Sequence, residues 1–319
     1  MRHRLAPFIA LLLAFAAVVA ACGSSSTSSD PYKILSDASK ASWNPVQVNV
    51  GLDVKDGSTT VTIDPSAFGF VADKSAWTGA LHLSVSTAAL GIDAKTLAQL
   101  GITGSTLDLD VVYDGLALYG KSPLFATVLA MILQPSGDLP SGDLTGWLRI
   151  GTKEDLAGLL GSAAGSGSMP SFAAPSPGDP VALKTALEGA GVTLTSSGTE
   201  QRNGAEAYHL KVAIDGIKLL ANKAFDSVSR AQVDQVTAAL KDVTLSGDIW
   251  IDKASSHIVE VDAHVAATKD STQTATVTVK IGSPDGTVST AAPSSFVDVP
   301  IKTIVTNLMT LIGQGLTGT

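Results

Sequence analysis

The sequence predicts an α+β fold in which helices cover one face of an antiparallel sheet. Apolar and polar residues alternate in many short segments, as at 46–54 and 275–281, which is typical of strands with one buried face. Short connections such as 252–256 allow only antiparallel neighbours. Several apolar or amphipathic stretches have the length of helices, and 319 residues are enough for a sizeable core.

The predicted strands succeed one another with short turns. Asp56 and Gly57 form a hairpin turn after the first alternating segment. In the last two strands the outward positions carry Glu260, Asp262 and Lys280, so this side of the sheet is expected to face water. The alternating segments are 46–54, 60–63, 81–85, 107–113, 208–214, 243–251, 259–265 and 275–281.

The helices are predicted from capping residues and from apolar periodicity. The pair Asp30-Pro31 predicts a helix over 32–42, and the same pair at 179–180 predicts one through 188. The segment 123–133 is apolar almost all round, so we expect it to be enclosed or to line an apolar cavity. Further helices are predicted at 152–160, opening with a capping box, and at 230–241 and 301–312.

The N-terminus has the layout of a bacterial lipoprotein precursor. Residues 1–21 combine basic residues at 2–4 with an apolar run, which is typical of a secretory signal peptide. The run ends at Cys22, the only cysteine, in a context that resembles a lipobox, and 23–29 form a Ser-rich flexible tether. We expect a protein held by lipidated Cys22 on the outer face of the bacterial cell membrane. The alternative is ordinary cleavage near residues 20–21 with an incidental cysteine.

The Pro-rich stretch 161–178 admits two interpretations. It could link two domains, or it could be a mobile loop across one domain that acts as a flap. The strands on both sides of it are of the same kind. We therefore expect 30–319 to form a single lipid-binding domain.

Composition and motifs exclude most other functions. The net charge is −8 and no basic stripe is present, so nucleic acid is not an expected partner. Residues 115–122 match the spacing of a phosphate-binding loop, but 116–119 have the pattern of a strand and Pro123 removes an amide near the anion site. No serine-hydrolase elbow or metal-ligand spacing occurs. We expect no enzyme, no cofactor and no metal, and we expect His82, His209 and His264 to face water.

Several motifs together resemble the LppX/LprG/LprF lipoproteins of actinobacteria, which are related in shape to the LolA and LolB lipoprotein carriers. Besides the lipobox and the Ser-rich tether, they are the opening helix at 30–41, the hairpin at 111–120, and 247–252 followed by 257–261. The resemblance implies a curved, unclosed antiparallel β-barrel, a half-barrel, with helices packed in its concave face. It also implies an apolar cavity for acylated lipid or glycolipid. This chain is longer than typical members and has extra helices near 95 and 230.

The function expected from these features is the carriage of lipid across the cell envelope, with a membrane lipid exporter as a possible partner. An apolar void stays dry and accepts hydrocarbon, and few aromatic residues are available to fill it. The alternatives are that the same residues fill a solid core, or that the protein is a noncatalytic adaptor that recruits a partner protein. The residues expected to line the cavity are Phe68, Phe70, Leu118, Phe125, Leu129, Ile132, Leu133, Leu156, Leu159 and Leu160.

Overall fold

The structure is a computed structural model. It describes residues 29–41, 43–87, 95, 98, 104–133, 137–155, 179–220, 237–238, 240–270 and 272–307. The predicted leader, Cys22, the loop at 161–178 and most of the helix predicted at 230–241 lie outside these residues. Within the described residues, no helix has the length and apolar character needed to cross a bilayer.

The predicted fold class is confirmed: the protein is α+β, with 13 strands among the described residues. The chain divides into two compact units, and each is described by itself. The first unit comprises residues 1–43, 48–66 and 168–283. The second comprises 44–47, 67–167 and 284–319.

The first unit is built on an antiparallel meander with helices beside it. The strands follow the order β1-β12-β11-β10-β9-β8, and β2 forms a hairpin with β1. The elements are α1 (Pro31–Ala38), β1 (Val46–Asp56), β2 (Thr59–Ile63), α3 (Pro180–Gly189), β8 (Val192–Arg202), β9 (Ala205–Ile214), α4 (Gly216–Leu220), β10 (Val243–Asp252), β11 (Ile258–Ala267) and β12 (Thr274–Gly282).

Alternation places the core of this unit on one face of its central strands. Ile249, Val261 and Val277 come from three neighbouring strands, and none is more than 1% exposed. Residues one position away along each strand point to the opposite, polar face. The alternating pattern in the sequence therefore predicts the buried face of β10, β11 and β12. The expectation that the other face meets water is correct at Lys280 but wrong at Glu260, which is 2% exposed and forms an ion pair with Arg202, and at Asp262, whose side chain is 15% exposed.

Helix α1 is tied to its neighbours by one buried tyrosine. Tyr32 donates its hydroxyl hydrogen to Glu188 Oε1 of α3 at 2.9 Å and accepts one from the Leu194 amide of β8 at 3.2 Å. Burial raises the pKa of Tyr32 above its ordinary value. Asp30 caps the helix as predicted, but the helix ends at Ala38 rather than at 42.

Strand β8 is the last in the order of the first unit and is irregular at its middle. Its pairing with β9 shifts register between Ser196 and Thr199, where Gly198 has a φ of +94°. The residues from 195 to 201 are exposed. The bulge therefore interrupts the strand where its side chains leave the core.

The second unit has a sheet in the order β13-β7-β6-β5-β4-β3 and one long helix. Its elements are β3 (Phe68–Asp73), β4 (Thr78–Ser86), β5 (Thr106–Tyr113), β6 (Ala117–Lys121), α2 (Pro123–Leu133), β7 (Leu148–Thr152) and β13 (Val297–Asp298). Since β13 runs parallel to β7, the expected antiparallel sheet is in fact mixed.

Two local expectations for this unit are confirmed by hydrogen bonds and backbone. Thr152 and Asp155 form the capping box, because the Asp155 amide donates to Thr152 Oγ1 at 3.3 Å and the Thr152 amide donates to Asp155 Oδ2 at 3.2 Å. Residues 117–121 form a strand, so the phosphate-loop spacing at 115–122 does not correspond to a loop of free amides.

Candidate functional site

Seven of the ten residues predicted to line a cavity lie on three elements of the second unit. Phe68 and Phe70 are on β3, Leu118 is on β6, and the four residues from 125 to 133 are on α2. Leu156, Leu159 and Leu160 lie outside the described residues. The positions of the seven described residues can therefore be compared with the predicted cavity lining.

Strand register places the predicted residues of the sheet on a single face. Phe68 pairs with Leu83 and Phe70 pairs with Leu81 across β3 and β4. Directly paired residues point to the same side of a sheet, so the same face continues over β5 and β6. We call this surface the apolar face; its residues are Phe68, Phe70, Leu81, Leu83, Leu109, Val111, Leu118 and Gly120.

The side chains of the apolar face are only partly buried. Phe70 is 39% exposed, and Leu81 and Leu83 are of intermediate burial. On the opposite face of the same strands, Val71 is 3% exposed and Val112 is 5% exposed. Contiguous apolar surface that folding leaves partly uncovered is typical of a binding site.

Helix α2 packs beside the apolar face, and a glycine makes the room for it. A Cβ built on Gly120 would lie 2.8 Å from Cε2 of Phe125 and 2.7 Å from Cδ1 of Ile150, closer than real Cβ atoms approach. The glycine at position 120 therefore leaves free the space that the Phe125 ring occupies. The helix begins at Pro123, which suits the first helical position.

The structure brings the four predicted helix residues into one cluster. Leu129 and Leu133 are 7% and 0% exposed and pack with Leu148 of β7. Phe125 and Ile132 pack against this cluster at its margin. Leu129 and Leu133 thus belong to the packed core of the second unit, whereas Phe68 and Phe70 lie on the partly open surface.

The outer side of α2 is apolar as well as exposed. Val128 is 44% exposed and Met131 is 68% exposed. A helix that is apolar on every side has no polar side to present to water, so its outer side calls for an apolar partner. Methionine adapts readily to irregular apolar ligands because its side chain is unbranched and flexible.

A pocket lies among the described residues near Ala80, His82, Asp110 and Val112, which point to the opposite face of the same strands, and Leu81 of the apolar face also borders it. Its volume is about 450 Å³, and none of the predicted cavity residues lines it. At its wall the His82 Nδ1 atom lies 2.6 Å from Asp110 Oδ1, and Trp147 and Thr287 also contribute to the lining. The sequence analysis did not find this pocket, because its lining joins β4 and β5 to residues near 290 that are far away along the chain.

The three strand histidines are on the polar faces, as expected, but they bind carboxylates rather than simply facing water. His209 Nε2 lies 2.6 Å from Asp248 Oδ1, and His264 Nε2 lies 3.2 Å from Asp248 Oδ2. His82 is held by its bond to an aspartate of the neighbouring strand. Among the described residues, no group of three His, Cys, Asp or Glu side chains could hold a metal ion.

The chemistry available at the apolar face is restricted to apolar contact. The eight residues carry no ionisable side chain. Tyr113, which pairs with Leu118 and so lies on the same side, donates its hydroxyl hydrogen to the Gly115 carbonyl oxygen at 3.1 Å. The carboxylates and the histidine of β4 and β5 point to the other side. Such a surface can hold hydrocarbon, but it supplies no acid, base or nucleophile.

No protein-family model and no curated protein matches this chain. Among solved structures, LprF from Mycobacterium bovis is similar at 11% identity over 78% of this chain and 90% of its own, with a TM-score of 0.30. LppX from Mycobacterium tuberculosis is similar at 10% identity over 78% and 89%, with a TM-score of 0.27. A LolA superfamily protein from Nitrosomonas europaea is similar at 8% identity over 76% and 87%, with a TM-score of 0.18. LprF, LppX and the LolA superfamily are the groups that the sequence motifs resemble.

Proposed function

We propose that this protein is a membrane-anchored envelope protein that binds the acyl chains of a lipid or glycolipid and carries the lipid across the cell envelope. The observation that carries the proposal is the apolar face of the second unit together with the exposed apolar side of α2. Removing such surface from water is favourable by about 25 cal/mol per Å². A lipid tail is a ligand whose chemistry matches this surface.

Binding of this kind suits a carrier because a lipid tail has nearly the same free energy in the bilayer and in the apolar site. Moving a methylene group from the bilayer interior into an apolar protein site changes its free energy little, so neither loading nor release needs a large input of energy. No nucleotide or cofactor is required in this scheme. The N-terminal segment supports it: after removal of 1–21, acylated Cys22 and the tether at 23–29 would keep the remainder of the chain close to a membrane.

A charge placed on the apolar face tests the proposal. We expect Phe70→Asp to lower the fraction of lipid-loaded protein about tenfold or more, because an unpaired carboxylate against hydrocarbon costs more than the ~1.4 kcal/mol that corresponds to a factor of ten. The measurement is native mass spectrometry of protein purified from membranes, with lipid extraction to identify the adduct. Phe70 is a better position than Leu129, because a change at Leu129 would disturb the core.

Phe296→Asp is the matched control. Phe296 is also 39% exposed, but its ring lies near the ring of Tyr119 and near Arg149, away from the apolar face residues. It should keep full lipid occupancy. Equal occupancy in both variants and in the wild type, with unchanged melting temperatures, would contradict the proposal, and a co-purifying protein without lipid would favour the adaptor alternative.

A further inference from the structure

Two neighbouring turns of the second unit project large apolar side chains into solvent. Trp77 ends the turn between β3 and β4 and is 78% exposed. Leu116 lies in the turn between β5 and β6 and is 74% exposed. The turns touch, since a Cβ built on Gly115 would lie 3.5 Å from the carbonyl oxygen of Trp77. We call these two turns, 74–77 and 114–116, the tip.

The first turn is held rigidly with its tryptophan pointing outward. Asp73 Oδ1 accepts hydrogen bonds from the amides of Ser75 and Ala76 at 2.8 and 3.1 Å. Asn44 Oδ1 accepts one from the Lys74 amide at 2.9 Å. Trp77 itself has a φ of +53°, a backbone conformation that a bulky residue rarely adopts. Strain of this kind persists only where the surrounding bonds enforce it.

The second turn is held in the same way. Asp114 Oδ1 accepts hydrogen bonds from the amides of Leu116 and Ala117 at 2.9 and 2.8 Å. The Lys153 amide donates to the Leu116 carbonyl oxygen at 2.8 Å. Both aspartates are thus directed into their own turns. Lys74 lies in the first turn and Lys153 is bonded to the second, and both side chains are exposed, as is that of Glu154 beside Lys153 in the sequence.

We propose that the tip docks into the interfacial layer of a phospholipid bilayer, with Trp77 and Leu116 inserted and Lys74 and Lys153 at the lipid phosphates. Tryptophan favours the membrane interface because its ring is apolar and its N–H is polar. Lysine side chains extend toward phosphates while their stems stay in apolar surroundings. The rigid turns present both apolar groups without an ordering cost on contact.

A bilayer fits this tip better than a protein partner does. A stable protein interface covers about 800 Å² on each partner and usually has a broad packed centre, whereas the tip offers two separate side chains. Shallow insertion of one tryptophan and one leucine gives weak, reversible contact, and the anchor expected at Cys22 would supply the persistent attachment. The tip uses none of the residues of the apolar face, so either proposal can hold without the other.

Fluorescence quenching by brominated lipid tests the docking. The full chain with its anchor is reconstituted in vesicles of phosphatidylcholine and phosphatidylglycerol, with and without phosphatidylcholine brominated on its acyl chains. The protein has four tryptophans, and Trp250 is 5% exposed. We expect wild-type emission to be quenched by the brominated lipid and Trp77→Ser to lose most of that quenching. Leu116→Ser, which retains the Trp77 reporter, should show reduced quenching.

Val181→Ser is the matched control, because Val181 is an apolar residue that is 72% exposed on α3 in the first unit. It should be quenched like the wild type. Absence of quenching in the wild type, or equal quenching in Trp77→Ser, would overturn the proposal. A change of oligomeric mass in the tip variants would also overturn it, by assigning the tip to a second copy of the chain. Lipid occupancy measured on the same samples should be unchanged, which separates this result from a failure of the lipid-binding proposal.

Discussion

Asp262 of β11 is a carboxyl group held in an unfavourable environment. Its side chain is 15% exposed, and its Oδ1 atom has no hydrogen-bond partner among the described residues. Burial raises the pKa of Asp262 above its ordinary 3.8, and the negative charge of Glu260 adds to this, while a hydrogen bond from Thr278 opposes it. The folded state therefore binds this proton more tightly than the unfolded state does.

The sign of the pH effect follows from that difference. Below pH 3.8 the group is protonated in both states, and as the pH rises through the raised value the folded protein loses stability through this group. We expect Asp262→Asn to melt at a higher temperature than the wild type at pH 7, by a few degrees at most. The difference should shrink toward pH 4, and calorimetry across this range measures it.

Asp64→Asn is the opposite control. Hydrogen bonds from the Ser66 hydroxyl and amide lower the pKa of Asp64, so its ionised form favours folding above its ordinary pKa. This variant should not gain stability at pH 7. A gain of the same size in both variants would show that removal of negative charge in general, rather than the burial of Asp262, is responsible.

At the scale of elements, the position of α2 depends on the absence of a side chain at residue 120 of β6. The Phe125 ring occupies the space that a Cβ would need, and Leu148 of β7 completes the contact with the helix. Packed interiors tolerate added methyl groups poorly because neighbouring side chains must leave their preferred rotamers. The position of α2 on the sheet therefore depends on the absence of a Cβ atom at residue 120.

We expect Gly120→Ala to lower the free energy of unfolding by about 1–3 kcal/mol, the usual cost of inserting a methyl group into a packed contact. Urea denaturation measures this change. Gly282→Ala is the control, because a Cβ built on Gly282, the last residue of β12, would meet nothing within 4 Å. A Gly120→Ala variant as stable as the wild type would show that α2 shifts freely on β6.

The elements that the sequence predicts well are those whose pattern is local. Residues 123–133 form a helix with the predicted bounds, because an 11-residue run that is apolar except for Thr127 begins with a proline at the first helical position. The sequence pattern does not predict strand β8. Most of 195–201 is polar, so this segment lacks the alternation of apolar and polar residues that indicates a strand, and its pairing with β9 depends on tertiary structure. Strand β7 was missed because five residues are too few to show a period.

The candidate site was predicted in part for the same reason. Phe125, Leu129, Ile132 and Leu133 are found together because one helix holds them. Their contact with Val299 and the pairing of Phe70 with Leu81 depend on tertiary structure and register, which the sequence pattern does not specify. Sequence alone could not separate the core residues from those on the open surface, since both are equally apolar.

At the scale of the whole molecule, the proposed function requires attachment to a membrane through residue 22. We expect wild-type protein expressed in a bacterial host to incorporate a radiolabelled fatty acid and to fractionate with membranes, because a diacylated and N-acylated cysteine buries enough methylene groups for stable anchoring. Cys22→Ser should abolish the labelling. Labelling that persists in this variant would place the lipid elsewhere, and wild-type protein released without lipid would support ordinary cleavage instead.

Strand β8, the irregular last strand in the order of the first unit, affects how neighbouring copies of the protein would meet on a membrane. Copies held on a membrane as proposed would share two dimensions and meet often, so an unpaired strand edge would invite edge-to-edge aggregation. The bulge at 196–199 interrupts the regular row of amides and carbonyls on β8 that another copy would need. We therefore expect the register shift that disturbs the β8–β9 hairpin to reduce edge-to-edge pairing between neighbouring copies.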